Sequence, residues 1–131
     1  MSFSEQSDLD HEDEEEGQIA AITTAWAHMF GEEKRTVSQF VEALLEGHKS
    51  AESGRRARAD AAMSAVAGLR GLPVSKLEGR QYGEVFRILK DRPMLLEGVD
   101  CRFRTVGLRS KVAVWQLDGA AELCAKLDRE F

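Results

Sequence analysis

Tyr82-Gly83-Glu84-Val85-Phe86-Arg87-Ile88-Leu89-Lys90-Asp91-Arg92 reads as a basic helix, ended by Pro93, and three strand-like runs follow it. Leu77, Tyr82, Val85, Phe86 and Leu89 share one side of a 3.6-residue period, which leaves Arg80, Gln81, Glu84, Arg87 and Lys90 facing outward. The strand-like runs are Met94–Glu97, Cys101–Leu108 and Val112–Leu117. In the second, Cys101, Phe103 and Thr105 alternate with Arg102, Arg104 and Val106, the period-2 pattern of a half-buried strand. Gly107–Lys111 is short, polar and charged, as a hairpin tip requires. A basic helix leading into a basic hairpin is the expectation for this half of the chain.

Upstream, apolar residues at Ile19, Ile22, Trp26, Met29 and Phe30 form a helical stripe that Gly31 can close in the left-handed conformation. Thr36-Val37-Ser38-Gln39 has the form of a capping box, and Val37, Phe40, Val41, Leu44 and Leu45 line the helix it opens; Gly47 is expected to close it. Arg55–Leu69 is Ala-rich and helical in composition. Leu72-Pro73-Val74 must be extended, because proline disfavours helix at the residue before it. Ser75-Lys76-Leu77-Glu78 offers a second capping box for a helix running to about Asp91. Gly79 and Gly83 weaken that helix by about 1 kcal/mol each relative to Ala, and mark either a later start or a close helix–helix approach. Asp118 is placed to cap a last helix from Gly119 to about Arg129, with Leu123 and Leu127 inward.

The chain has 131 residues and a formal charge of −5, but the charge is unevenly spread. Residues 1–18 hold eight acids and no Lys or Arg; residues 54–111 hold 13 bases against six acids, a net of +7. The first segment is too poor in apolar residues to offset its ordering entropy, so a disordered acidic tail over 1–18 and a folded domain over 19–131 are expected. The tail reads as a solubilising segment or linker, or as a cover for the basic face. The basic stretch reads either as a solvated mixed surface or as a cationic face that attracts phosphates. No apolar run reaches the roughly 18–20 residues that cross a bilayer, and the N-terminus is acidic, so a cytoplasmic protein without a membrane partner is expected. Cys101 and Cys124 have no Cys or His neighbours at metal-ligand spacing and read as reduced core thiols.

Residues 55–69, the Gly71–Val74 connector and residues 76–91 supply a support helix, a turn and a recognition helix in the order of a helix-turn-helix. With the hairpin behind it, the expected fold is α+β: mostly helical, with a small β-hairpin wing, a winged helix-turn-helix carrying extra N-terminal helices. DNA, duplex or single-stranded, is the expected partner. Arg80 and Gln81 lie early in the recognition helix, where Arg suits guanine and Gln suits adenine. Arg87, Lys90 and Arg92 suit phosphates, and Arg102, Arg104, Arg109 and Lys111 decorate the hairpin and its tip.

From Trp26 to Leu117 the chain resembles the C-terminal winged-helix segment of primase/helicase-type ATPases of phages and plasmids. The likeness rests on Trp26…Phe30-Gly31, the Thr36-Val37 helix start, Tyr82-Gly83…Phe86-Arg87…Lys90-Asp91-Arg92, Gly98 and Trp115-Gln116-Leu117. Tyr82 and Phe86 stand where leucines are more usual in that family. The resemblance implies an accessory DNA-binding end of a mobile-element replication protein, with an ATPase or primase as partner. The chain has no Gly-x-x-x-x-Gly-Lys-Ser/Thr sequence, so nucleotide hydrolysis is not implied.

His11, His28 and His48 have no Cys, Ser or Asp partner evident from spacing, so no catalytic constellation, no metal and no cofactor are expected. The alternative to DNA binding is a protein-interaction module, a small phage or plasmid factor acting on a host complex, with the acidic tail imitating nucleic acid.

Overall fold

A computed structural model describes residues 3–129, with side chains described for residues 14–127. Helix α1 (Phe3–Phe30) is followed by the two-residue strand β1 (Arg35–Thr36), then by α2 (Val37–His48) and α3 (Ser53–Arg70). A 3-10 turn (Val74–Lys76) leads to α4 (Gly79–Leu89), and β2 (Met94–Leu96), β3 (Val99–Arg109), β4 (Val112–Asp118) and α5 (Ala120–Arg129) complete the order. The architecture is α+β: mostly helical, with one small antiparallel sheet in the order β1-β4-β3-β2. No helix among the described residues is long and apolar enough to cross a membrane.

Local signals account for most of these elements. Thr36 Oγ1 accepts from the Gln39 backbone N–H at 3.2 Å and Gln39 Oε1 accepts from the Thr36 N–H at 2.9 Å, so the capping box opens α2 as expected. Gly31, at φ +60°, ends α1. Gly47 lies inside α2 rather than after it. A Cβ there would stand 2.9 Å from the Ala59 Cβ, so its bare backbone lets α3 pack close. Two tight turns shape the sheet: Glu97-Gly98 between β2 and β3, and Ser110-Lys111 between β3 and β4, all at positive φ. Both central residues at positive φ mark the twisted two-residue hairpin turn.

The structure departs from the sequence reading at three places. The backbone over the acidic segment is helical from Phe3 and continuous with α1, where a disordered tail was expected; residues 1 and 2 lie outside the described residues. Glu and Gln propagate a helix well, and the segment finds neighbours: Glu15 pairs with Arg92 at 3.5 Å, and Gln18 lies against Gly68 of α3. The fourth helix starts at Gly79, the later start that this glycine could mark, and not at 76, because Leu77 is extended and Glu78 takes the N-cap position. β1 has no counterpart in the sequence reading: two residues are too few to show a period.

The core is aromatic at its centre. Trp26 is fully buried, with the rings of Phe30, Phe40, Phe86 and Phe103 at 5.1–5.4 Å. Offset and edge-on ring pairs at this spacing add about 0.5–1.5 kcal/mol each beyond area burial. Phe86 also touches Trp115 at 5.5 Å, so the inner face of α4 is tied to β4 and, through Phe103, to β3. That anchoring fixes the hairpin relative to α4.

Candidate nucleic-acid interface

Helix α4 and the β3–β4 hairpin face one another across an open cleft of about 460 Å³. Val37, Ser38, Val41 and Glu42 of α2 form one wall, Val112, Ala113 and Trp115 of β4 another, and Gly79, Gly83 and Arg87 of α4 a third. The three α4 residues are four apart, so they recur on one helical face. No heavy atom outside the helix's own turns lies within 4 Å of a Cβ built on Gly79 or Gly83, so bare backbone lines that wall.

Beyond the cleft the hairpin projects into solvent. The register shifts between Thr105 and Gly107, a bulge that bends and twists the ribbon there. Past it, Leu108 pairs with Ala113 and Arg109 with Val112, and all but Ala113 are exposed. Ser110 and Lys111 hold φ of 52° and 68° without being glycine. The left-handed conformation costs such a residue roughly 1–2 kcal/mol, so the tip keeps a strained turn and places the Lys111 ammonium at its end.

The nine residues expected to contact nucleic acid divide into groups. Arg87 lines the cleft, Arg80 is exposed on the first turn of α4 next to Gly79, and Arg109 and Lys111 sit at the tip beside Val112. Arg80 has one carboxylate near, that of Glu78 at 4.0 Å, with both side chains more than two-thirds exposed. An exposed pair of this kind is worth little.

Lys90, Arg92, Arg102 and Arg104 gather at the other end of the hairpin. Lys90 bridges to Phe103, and the Asp91 N–H donates to the Phe103 carbonyl at 2.9 Å, which seats the end of α4 between Arg102 and Arg104 in sequence. Arg104 holds Asp118 with two contacts, 2.5 and 3.0 Å, Asp118 stands opposite Arg102 in the register, and Arg92 meets Glu15. Arg109 lies five positions beyond Arg104, about 17 Å along a strand. The cations therefore do not form one continuous surface.

Gln81 is corrected outright. It is 8% exposed, and its Oε1 accepts from the Glu78 backbone N–H at 2.7 Å. At the third position of the helix its side chain folds back to the cap, so it is not presented outward. The sequence signal was available once Glu78, rather than Ser75, is taken as the cap.

Sequence reasoning missed Ser38, Glu42 and the two cleft glycines, since nothing in an amphipathic period announces a space between elements. The Cys101 thiol is pushed up to about 11 by burial first, then by Asp100 and Glu122. It is a buried core group, held as the thiol. Among the described residues, no group of three or more His, Cys, Asp or Glu could hold a metal ion.

Comparison of the chain with protein-family models, with curated proteins and with solved structures gave no match.

Proposed function

We propose that the chain is a winged-helix DNA-binding module of the kind that accompanies a primase or helicase ATPase in mobile-element replication. In this reading α3, the connector and α4 form the helix-turn-helix, and the β3–β4 hairpin is the wing. One observation carries the proposal: Arg87 lines the cleft between α4 and β4, Arg80 is exposed on the first turn of the same helix, and Arg109 and Lys111 stand exposed at the hairpin tip beside Val112; among the described residues the one carboxylate within 4.0 Å of these four is Glu78, beside Arg80. Unneutralised cations on two facing elements suit a phosphate backbone passing between them. The module carries no chemistry of its own and needs no cofactor.

The test is fluorescence anisotropy of the full chain with labelled duplex and single-stranded DNA across a salt series. Binding at low salt that weakens linearly in log salt is expected. Absence of binding to either form at low salt contradicts the proposal.

The Glu15–Arg92 pair favours a second reading. A carboxylate on the acidic helix occupies an arginine as a phosphate would, so the same helix can enter a partner protein's basic groove. In that case, deleting residues 1–18 abolishes partner capture, while alanine at Arg87, Arg109 and Lys111 leaves it intact.

A further inference from the structure

We propose that the cleft between α2, α4 and β4 is a nucleobase site that takes guanine from a single strand. This inference rests on the DNA-binding reading and specifies what enters the site.

Most of the cleft wall is aliphatic, from Val37, Val41, Val112 and Ala113, with glycine backbone on α4. A phosphate alone gains nothing from such walls, whereas the faces of a flat, apolar base are matched by them. Trp115 is 5% exposed, so it closes the cleft from behind and is not itself a stacking platform. Leu108 is 74% exposed and shares its sheet face with Ala113, its register partner, and Trp115, two residues further along β4. It stands next to Ala113, which lines the cleft, and is the exposed apolar side chain nearest in register for an extruded base or its sugar to meet.

The polar groups in the cleft choose among the bases. Glu42 offers only acceptors when ionised, and Arg87 only donors. No ion pair joins them among the described residues, although both line the cleft. Guanine presents two donors, N1–H and N2–H, on its pairing edge and two acceptors, O6 and N7, on the adjoining edge. A carboxylate for the first pair and a guanidinium for the second fit that base. Adenine has no second donor for Glu42, and cytosine has no O6/N7 pair for Arg87. In a duplex the guanine pairing edge is occupied by cytosine, so the site requires a strand that is single or locally opened.

The experiment measures affinity of the full chain for short oligothymidylates carrying one central dG, dA or dC, with a duplex of matched length as the fourth ligand. A preference of about tenfold for the dG strand is expected, the scale of a good bidentate contact. Glu42→Ala and Gly83→Leu should each remove the preference, the first by deleting the acceptor and the second by filling the cleft. A Cβ at Gly83 meets no heavy atom within 4 Å outside its own helix turns, so a side chain can start into the cleft there; a melting curve verifies the fold of both variants. Equal affinity for all three bases overturns the inference, as does a dG preference that survives both substitutions. Duplex binding without single-strand binding overturns it too, while leaving the DNA-binding reading in place. Failure to bind any of the four ligands defeats both.

Discussion

The base of the β3–β4 hairpin and its tip carry cations in equal supply, but in opposite surroundings. At the base, Lys90, Arg92, Arg102 and Arg104 stand among Glu15, Asp91, Asp100 and Asp118, and at least two of the four are engaged in ion pairs. At the tip and cleft, Glu42 lines the cleft with Arg87 and Glu78 lies 4.0 Å from Arg80; among the described residues no carboxylate comes closer to Arg80, Arg87, Arg109 or Lys111. The base is the half held by buried Cys101, Phe103 and Leu117. The tip is the half past the bulge, where the strands leave the core. Charge count along the sequence gives both halves the same character; the close ion pairs of Arg92 and Arg104 separate them. A paired arginine on a packed strand is a structural group, and an unpaired one on a projecting ribbon is available to a ligand.

Four substitutions test the contrast. The largest effect is expected for Phe103→Ala, which empties the centre of the aromatic cluster at the base: a loss of about 3–5 kcal/mol in chemical denaturation, with DNA binding lost along with the fold. If stability falls by less than 1 kcal/mol, the base does not anchor the hairpin. Arg87→Ala comes next. It should leave stability unchanged and weaken DNA binding by about 1.5–3 kcal/mol, the worth of a charge-assisted hydrogen bond, read by anisotropy at constant salt. Lys111→Gly should split its two readouts. Relief of the left-handed backbone strain raises stability by about 1 kcal/mol, while the lost ammonium lowers affinity; both moving the same way would assign the tip a structural role. Arg104→Ala is the smallest. Its pair with Asp118 is half-exposed, so a stability loss of about 0–1 kcal/mol and no change in DNA affinity are expected, measured by the same two assays.

How far the fold could be read from sequence follows from the range of each signal. The α2 box was legible because Thr36 and Gln39 act on each other across one turn. The alternation of Cys101 and Phe103 with Arg102 and Arg104 was legible because a strand at the sheet surface repeats every two residues. The start of α4 was not, since two overlapping boxes, Ser75/Glu78 and Glu78/Gln81, compete; Leu77 settled it by staying extended. That choice also turned Gln81 inward. The helical backbone through the acidic segment was missed because composition weighs a segment alone, and Glu15 and Gln18 meet partners 50 or more residues away. The candidate site was legible as to residue type on the helix and hairpin, and illegible as to which arginines pair. Asp118 lies 14 residues from Arg104, and only the antiparallel register brings them together. The cleft itself was invisible, being a space between α2, α4 and β4.

The most direct test of this account compares salt dependence in two triple variants, Arg87/Arg109/Lys111→Ala at the tip and Arg92/Arg102/Arg104→Ala at the base. Each phosphate contact contributes about 0.7–0.9 to the slope of log affinity against log salt. The account predicts that the tip variant flattens the slope by about 1.4–2.7, the worth of two phosphate contacts if Arg87 meets a base and of three if it meets the backbone, and that the base variant keeps the wild-type slope. A flattened slope for the base variant, with the tip variant unchanged, would contradict it.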